Sequence, residues 1–406
     1  NRGIMEFAEL FKTEETLLRV LLGLAQERVI KMGRFGSVYA DEAVIAHSNQ
    51  GDFKDFSANP KAEALLDRII TINIPYNLRV SEEERIYALM LKGAGFRESG
   101  VHISPLTLQV MATFAVLSRF EPPSKQGMSL SDKLRLYDGE HVPPYTYSDL
   151  IDMGEDNPDE GMSGVSPRYV LNKLSNVVTQ KSEGCISPLR GLNTLWEGLS
   201  EHVSLAAVDR TRYALLLQET LAQYDYLSRN EVCRSHVNEF EKESARLFDT
   251  YRASVFAYLQ NSVMLDPQTG VEMPSDEKTM RYLEEAVGIT QRNKDKFRNE
   301  ISERLREAEL LGQDLTYATV PEIRNAIEKL LYPNPRALEK TLFATTKRDV
   351  QDERDRVAMM QRLVEIYGYC DECAKDLVDY VKFRLKGGQV IRTTRASRVR
   401  WAWKLS

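Results

Sequence analysis

Two apolar segments of the sequence each end beside a polar side chain that can act on a phosphate group. Ile4–Ala8 is followed directly by Glu9, and Val44–Ala46 is followed closely by Asn49. In P-loop nucleotide hydrolases a buried strand delivers carboxylates to Mg²⁺ and to the attacking water, because phosphoryl transfer depends on positioning and charge neutralisation. Asn49 can donate to a phosphate oxygen and accept from water. Glu9 and Asn49 together indicate a site for a γ-phosphate, although each residue alone is more typical of a solvated surface.

Two arginines stand where a guanidinium can meet the same phosphates. Arg68 ends an amphipathic run just before the apolar segment Ile69–Ile74. Arg168 follows Ser166-Pro167 in the first turn of a predicted helix, where backbone N–H groups also favour anions. Arginine suits phosphoryl transfer because its planar fork stays protonated and binds oxygens bidentately. Arg68 can project across a subunit boundary, whereas the alternative for either residue is a surface or capping role.

An α/β layer is predicted to position Glu9, Asn49 and Arg68. Leucines at helical spacing predict a helix over Glu14–Gln26. Alternation of strand and helix favours parallel strands, and the unbroken apolar run within Ala43–Ala46 predicts a sheet covered on both faces. The predicted strands are Gly3–Phe7, Val38–Tyr39, Ala43–Ala46 and Ile69–Ile74.

The remainder of the chain is predicted to be mainly helical. Ser81 and Glu84 have the spacing of a capping box before an apolar stripe, and Ser104-Pro105 begins a second helix that runs through Leu117. The long stretch Glu121–Gly164 is rich in proline and reads as irregular. Beyond Ser187, helical periodicity predicts one long helix within Glu231–Leu265 and further helices at 276–288, 293–312, 321–332, 335–345, 350–367 and 371–385.

Several segments together resemble the PrkA family of bacterial serine protein kinases. They are Asn-Arg-Gly-Ile-Met-Glu-Phe-Ala-Glu-Leu-Phe-Lys (1–12), Ile-Ala-His-Ser-Asn (45–49), Leu-Leu-Asp-Arg-Ile (65–69), Leu-Tyr-Asp-Gly-Glu (136–140), Gly-Met-Ser-Gly-Val-Ser-Pro-Arg (161–168) and Lys-Phe-Arg-Asn-Glu-Ile (296–301). The resemblance extends from residue 1 to about residue 385. It implies an AAA+ ATPase module followed by a helical C-terminal domain.

The resemblance also implies a domain plan and a role for each site residue. The fold class is α/β plus all-α: the C-terminal part of an AAA+ parallel-sheet core over 1–78, a helical lid with a long insertion over 79–182, a helical domain over 187–385 and a basic tail over 386–406. By likeness, Glu9 is the Walker B glutamate, Asn49 is sensor 1, Arg68 is the arginine finger and Arg168 is sensor 2. The stretch between Leu17 and Asn49 resembles the helix and hairpin insertion of magnesium-chelatase-like AAA+ proteins.

The sequence departs from the family pattern in two places. It contains no Gly-x-x-x-x-Gly-Lys-Ser/Thr, the loop that cradles the β- and γ-phosphates, and Ala8 replaces the Walker B aspartate that helps to hold Mg²⁺. The chain begins at Asn1 within a patterned segment, so we expect a fragment whose use of ATP and Mg²⁺ requires an upstream phosphate-binding loop. By itself it is predicted to bind nucleotide weakly or not at all.

An ordinary protein-kinase site is not supported by the sequence. Gly33–Ala40 resembles the end of a glycine-rich loop, but Lys31 takes the place of the first glycine and His47 that of the strand lysine. Neither His-Arg-Asp nor Asp-Phe-Gly occurs. We therefore interpret Gly33–Gly36 as a hairpin turn.

Metal-binding motifs are equally sparse. Cys370 and Cys373 form a single Cys-x-x-Cys, and Cys185 and Cys233 are distant in sequence, so a zinc site would require tertiary approach. Structural thiols at a helix start, zinc binding and redox sensing stay open. Because the five histidines show no metal spacing, the sequence predicts no metal site.

Charge and composition narrow the range of partners. The formal charge is −6, but Val381–Ser406 carries eight Lys or Arg and no acidic residue, so the remaining chain has 46 basic against 60 acidic groups. An acidic body argues against a nucleic-acid surface, while the basic tail is typical of a flexible end or of contact with an acidic partner. Short apolar runs exclude a membrane span, and the small number of cysteines favours the reducing cytoplasm.

These observations favour an ATP-dependent serine protein kinase with an AAA+ module, acting on a protein substrate as a homo-oligomer. The alternative is a non-kinase AAA+ ATPase that works as a regulatory or remodelling assembly.

Overall fold

The computed structural model describes residues 2–13, 20–21, 23–24, 26–31, 36–59, 62–93, 100–140, 142–179, 184–200, 206–265, 270–310, 312, 314–344, 350–388, 391–395 and 398–402. The chain divides into two compact units, Asn1–Ile74 and Pro75–Ser406.

The first unit is built on a pair of parallel strands. Strand β1 (Arg2–Ala8) pairs with β4 (Asp41–His47) in register from Arg2 opposite Asp41 to Ala8 opposite His47. Between them, β2 (Val29–Lys31) and β3 (Ser37–Tyr39) pair antiparallel. Apart from Gly36, the predicted turn Gly33–Gly36 lies outside the described residues. Helices α1 (Gln50–Ser57) and α2 (Glu63–Leu66) follow, and the described residues within 20–27 are mostly helical.

A small apolar core lies against one side of this strand pair. Its buried residues are Leu10, Leu21, Leu24, Ala40 and Leu65. The prediction that Ala43–Ala46 is covered on both faces is wrong, because these residues of β4 are exposed. The described strands of this unit form two separate two-stranded sheets, β1 with β4 and β2 with β3, and a strand pair is too small to be enclosed between two layers.

The predicted strand Ile69–Ile74 does not form. The segment has no regular hydrogen-bonded structure, and Ile70, Ile72 and Ile74 are 91%, 77% and 82% exposed. A strand needs a hydrogen-bonded neighbour, and β1 and β4 pair only with each other among the described strands. The apolar residues of Ile69–Ile74 therefore indicate strand propensity, but no described strand lies beside the segment to pair with it.

The second unit is mainly helical, as predicted. Its first helices are α3 (Val80–Gly93), α4 (Thr107–Arg119), α5 (Leu130–Tyr137), α6 (Tyr147–Asp156), α7 (Pro167–Thr179) and α8 (Pro188–Ser200). The later ones are α9 (Ala207–His236), α10 (Phe240–Gln260), α11 (Glu277–Ala286), α12 (Lys294–Leu310), α13 (Pro321–Leu331), α14 (Pro335–Phe343), α15 (Val350–Glu365) and α16 (Asp371–Leu385). The helices predicted between 276 and 385 are confirmed with only small shifts at their ends.

Short strand pairs complete the second unit. They are β5 (His102–Ile103) with β6 (Cys185–Ile186) in parallel, β7 (Met264–Leu265) with β8 (Glu272–Met273), and β9 (Ile391–Arg395) with β10 (Arg398–Ala402). Two described segments of the predicted basic tail thus pair with each other in antiparallel fashion. Within the described part of the chain, no helix combines the length and apolar character needed to cross a bilayer.

Three local predictions for the second unit are wrong. Ser81 lies inside α3 and does not cap it, because its N–H and Oγ both donate to Oδ1 of Asp138, at 3.0 and 2.7 Å. The stretch Glu121–Gly164 is not wholly irregular: α5 and α6 lie within it, and each begins with a capping box. The single helix predicted within Glu231–Leu265 is interrupted before Phe240, where Glu239 has a left-handed backbone with φ 54°.

The largest core of the second unit surrounds α4. This helix is buried over most of its length, with Met111, Phe114 and Val116 fully enclosed, and the same core includes Leu192 of α8 and Tyr380 of α16. Segments predicted as lid and C-terminal domain therefore share one hydrophobic core. The boundary between them near residue 182 stays a prediction.

Candidate nucleotide site

The parallel pairing of β1 and β4 brings two chain segments out at one edge. Ala8 lies opposite His47 as the last pair of the register, so Glu9 and Asn49 follow from the carboxyl ends of neighbouring strands. In open α/β sheets this edge is where ligands bind. Glu9 and Asn49, the two residues predicted to lie at a γ-phosphate, thus follow the strand pair at the same end.

Glu9 is held in an unusual backbone conformation at the end of β1. Its φ of 54° and ψ of 44° are left-handed, a region that non-glycine residues adopt infrequently. A 3-10 turn, Leu10–Lys12, begins there and brings the Nζ of Lys12 to 3.2 Å from Oε2 of Glu9. The carboxylate is largely exposed, so it remains accessible to a ligand or water.

Asn49 is the N-cap of helix α1. Its Oδ1 accepts a hydrogen bond from the backbone N–H of Asp52 at 2.8 Å, and its Nδ2 donates to Oδ2 of Asp52 at 2.6 Å. Asparagine is a favoured capping residue because its side chain satisfies an N–H that the first helical turn leaves unpaired. The amide that would sense a phosphate is therefore engaged with Asp52 in this structure.

Lys12 connects the two candidate residues. Its Nζ lies 3.2 Å from Oε2 of Glu9 and 3.5 Å from Oδ2 of Asp52. The hydrogen bond with Glu9 and the charge of Asp52 raise the pKa of Lys12 above its ordinary value. Glu9, Lys12, Asp52 and Asn49 consequently form one continuous polar chain, which we call the edge network.

Sequence reasoning missed two members of the edge network, Lys12 and Asp52. Each follows its partner by three residues, a spacing at which side chains meet within one turn. That spacing was the available signal, but the link between the two turns depends on the pairing of β1 with β4.

Arg68 lies in the turn after α2, within the first unit, and it is exposed. With the amide of Gln26 oriented so that its oxygen faces the guanidinium, that oxygen accepts from Nε and Nη2 of Arg68, both at 2.7 Å. This contact orients Arg68 towards the helical residues near 26. Its role as an arginine finger stays a prediction.

Arg168 belongs to the second unit, in the first turn of α7. Two residues at the end of α4 hold the segment just before this helix. Ser118 Oγ accepts from the N–H of Val165 at 2.8 Å, and Arg119 Nη2 donates to the Val165 carbonyl oxygen at 2.8 Å. Gly164 has φ +118°, and a Cβ there would lie 2.8 Å from the Ser118 carbonyl oxygen. The helix begins at Ser166-Pro167 as predicted, with Arg168 exposed.

The position of a kinase strand lysine is occupied by His47, at the end of β4. Its Nε2 lies 3.7 Å from Oε1 of Glu6 on the neighbouring strand, and both side chains are mostly exposed. A histidine at this position lacks the long ammonium side chain with which the strand lysine of ordinary kinases holds the ATP phosphates. The reading that this segment is not a conventional kinase cleft stays a prediction.

The side chains at this edge are better suited to contact a γ-phosphate and a water molecule than to form a complete Mg²⁺ site. The edge offers one strand-end carboxylate, Glu9, whose charge is shared with Lys12, and Ala8 offers none. Mg²⁺ needs near-octahedral oxygen coordination and usually takes several ligands from waters and substrate phosphates. Glu9 and Asn49 are the residues here that would face such a hydrated ion and its nucleotide.

A parallel strand pair that carries a carboxylate and an amide at its carboxyl edge, followed by a helical region, is typical of AAA-type ATPase modules. The chain matches the family model of the PrkA AAA domain over residues 1–127. It also matches the PrkA serine protein kinase C-terminal domain over residues 131–380. The chain belongs to the PrkA family.

Curated relatives carry two different functional names. The chain is 39% identical over 381 residues to the ATP-dependent protease PrkA of Bacillus subtilis (strain 168), covering 94% of this chain and 60% of that protein. It is 27% identical over 382 residues to the serine/threonine kinase YeaG of Escherichia coli (strain K12), covering 90% of this chain and 57% of that protein. The chain thus spans about three fifths of the length of these relatives. No solved structure matches it significantly.

Proposed function

We propose that the full-length protein is an ATP-dependent PrkA-type serine protein kinase that cleaves the γ-phosphoryl bond of ATP at the edge formed by Glu9 and Asn49. Mg²⁺ and a phosphate-binding loop outside this chain complete the site. The protein acts on a protein substrate as a homo-oligomer in which Arg68 reaches the nucleotide of a neighbouring subunit.

The observation that carries this proposal is the shared edge of β1 and β4. A carboxylate and an amide follow the last residue pair of two parallel strands, and the edge network joins them through Lys12 and Asp52. Phosphoryl transfer requires a group that orients the nucleophile and a donor that binds the developing charge. Glu9 and Asn49 are chemically suited to those two tasks.

The edge network also indicates what must change when nucleotide binds. Glu9 must exchange its contact with Lys12 for one with the nucleophile, whose proton it accepts. Asn49 must release the side chain of Asp52 to donate to a γ-phosphate oxygen. As the nucleophile forms its bond to phosphorus, the bond to the ADP oxygen breaks and ADP leaves with that electron pair.

The nucleophile is a serine hydroxyl in the kinase reading, supported by the name of the Escherichia coli relative. A second candidate is a non-kinase AAA+ assembly in which water is the nucleophile and the helical unit transmits the nucleotide state to a partner. Two observations favour it: the sequence lacks the kinase motifs, and the Bacillus subtilis relative is named an ATP-dependent protease.

One experiment separates these readings. Full-length protein is incubated with γ-labelled ATP and an unfolded, serine-rich model protein, and three products are measured: label on serine, free phosphate and shortened polypeptide. Label on serine that disappears in a Glu9→Gln variant supports the kinase. Free phosphate without serine label supports the non-kinase assembly, and cleavage of the model protein without label contradicts the kinase.

A further inference from the structure

Four side chains from distant parts of the sequence meet in the second unit. They are His102, Cys185, Cys370 and Cys373, and one donor atom from each lies within 4.8 Å of all the others. His102 on β5 is the direct register partner of Cys185 on β6. Cys370 caps the N-terminus of α16, and Cys373 lies in its first turn. We call these four residues the Cys–His cluster.

Three separations within the Cys–His cluster lie within about 0.5 Å of those around a single tetrahedral ion. His102 Nδ1 lies 3.0 Å from Cys185 Sγ and 3.7 Å from Cys373 Sγ, and the Sγ atoms of Cys370 and Cys373 are 3.4 Å apart. Zn–S bonds of about 2.3 Å and Zn–N bonds of about 2.0 Å place neighbouring ligands of a tetrahedron roughly 3.5–3.8 Å apart. Only small side-chain adjustments are needed to centre a metal.

The surroundings of the cluster prepare these atoms to be ligands. His102 Nε2 lies 3.1 Å from the carbonyl oxygen of Gly368, so it donates its proton there and leaves the Nδ1 lone pair directed at the sulfurs. Such a contact fixes the tautomer and orientation of metal-bound histidines. The backbone N–H of Cys370 points at Cys373 Sγ at 3.0 Å, and a helix N-terminus favours the thiolate form.

A disulfide does not account for this arrangement. All the cysteines are free, and the 3.4 Å between Cys370 and Cys373 sulfurs is far longer than an S–S bond of about 2.05 Å. Thiolates without a cation would also be costly here, since Cys185 and Cys373 are 8% and 2% exposed.

We infer that the Cys–His cluster binds one zinc ion through His102 Nδ1 and the Sγ atoms of Cys185, Cys370 and Cys373. Soft sulfur ligands with one imidazole select zinc over Mg²⁺ or Ca²⁺. Four protein ligands leave no open position for water, which defines a structural rather than a catalytic site. Cys-x-x-Cys thus supplies two ligands, and tertiary approach supplies the other two.

The site would join parts of the chain that sequence separates widely. His102 and Cys373 are 271 residues apart, and His102 and Cys185 are 83 residues apart. His102 lies in the part of the chain that matches the AAA domain, and the three cysteines of the cluster lie in the part that matches the C-terminal domain. Zinc therefore holds β5, β6 and the start of α16 together, and its removal is expected to lower the stability of the second unit.

Metal content tests the inference directly. The chain is purified under reducing conditions without chelator, and zinc is measured by mass spectrometry in wild type, Cys373→Ser, Cys185→Ser and the matched control Cys233→Ser. Cys233 is also buried, at 5% exposure, but lies outside the cluster. We expect about one zinc per chain in the wild type and in the control. The two cluster variants are expected to lose most or all of their zinc. Wild type that neither contains zinc nor binds added Zn²⁺ overturns the proposal.

A spectroscopic measurement keeps the test valid if the cluster variants fold poorly. Wild-type chain stripped of metal and reloaded with Co²⁺ is expected to show strong visible d–d bands and a thiolate charge-transfer band, the signature of tetrahedral sulfur-rich coordination. A weak octahedral spectrum overturns the inference. So does a disulfide within the Cys–His cluster in freshly prepared, unoxidised protein.

Discussion

The ammonium of Lys12 lies 3.5 Å from the carboxylate of Asp52, and this ion pair joins the turns that follow two neighbouring parallel strands. On one side Lys12 contacts Glu9, and on the other Asp52 contacts Asn49. Each residue proposed to act on the γ-phosphate is thus engaged by the side chain three positions after it, and those two side chains form an ion pair with each other. Nucleotide must compete with the edge network before either side chain can act.

Lys12→Gln tests this competition. Removing the ammonium frees Glu9, so basal ATP hydrolysis by the full-length protein is expected to rise roughly two- to fivefold, in keeping with the modest strength of an exposed ion pair. ATP affinity should hardly change. Phosphate release at saturating ATP is the measurement, and Lys54→Gln, an exposed lysine of α1, is the control. Unchanged or lower hydrolysis in Lys12→Gln would contradict the role given to Lys12.

Asn49→Ala is expected to lower kcat of ATP hydrolysis by about 10²–10³, the loss typical of a transition-state donor, with little change in KM. The same change removes the cap of α1 and should cost about 1 kcal/mol of helix stability. Asn49→Ser separates the two effects, because serine retains a cap but is too short to replace the amide. If Asn49→Ser restores hydrolysis along with stability, Asn49 is a structural residue.

Arg68→Ala is expected to reduce hydrolysis by about 10³–10⁵ if Arg68 is an arginine finger. Folding and ATP affinity should remain close to those of wild type. Mixing Arg68→Ala subunits with subunits whose phosphate-binding loop is disabled should restore activity, since some interfaces then combine an intact loop with an intact arginine. Near-normal hydrolysis by Arg68→Ala alone would remove the arginine-finger assignment.

The stability of the second unit depends on a buried ion pair between α3 and α4. Arg119 Nη2 lies 2.5 Å from Glu83 Oε1, and neither side chain is exposed. Glu83→Gln leaves a buried guanidinium without its counter-charge and should cost roughly 3–5 kcal/mol. Glu82→Gln is the matched control: its partner Arg85 is 74% exposed, so the loss should stay below about 1 kcal/mol. Urea unfolding of the two variants compares these costs, and equal midpoints would be inconsistent with the structure.

Local sequence patterns predicted the features whose causes are local. The helices between 276 and 385 form because apolar residues recur at helical spacing. Glu9 and Asn49 follow the carboxyl ends of two paired strands, and the apolar runs of the sequence indicated where those strands end. The segment Ile69–Ile74 has the same apolar character but no described strand beside it. Strand formation depends on a partner that local sequence does not specify.

Features assembled over long separations were not predictable. His102 was set aside because no other ligand lies at a metal spacing in sequence, yet the register of β5 with β6 places it opposite Cys185. The contacts of Lys12 with Glu9 and of Asp52 with Asn49 are local, but the ion pair between Lys12 and Asp52 depends on the pairing of β1 with β4. The break before Phe240 carries no glycine or proline, so helical periodicity alone ran through it.

The central claim is that the carboxylate of Glu9 activates the nucleophile at the edge of β1 and β4. Its most direct test is the rate of γ-phosphate release in a single turnover of full-length protein, measured for wild type, Glu9→Gln and the control Glu6→Gln, an exposed carboxylate on the same strand. Glu9→Gln is expected to bind ATP with near wild-type affinity and to release phosphate about 10²–10⁴ times more slowly, whereas Glu6→Gln should behave as wild type. Phosphate release by Glu9→Gln at the wild-type rate would contradict the account.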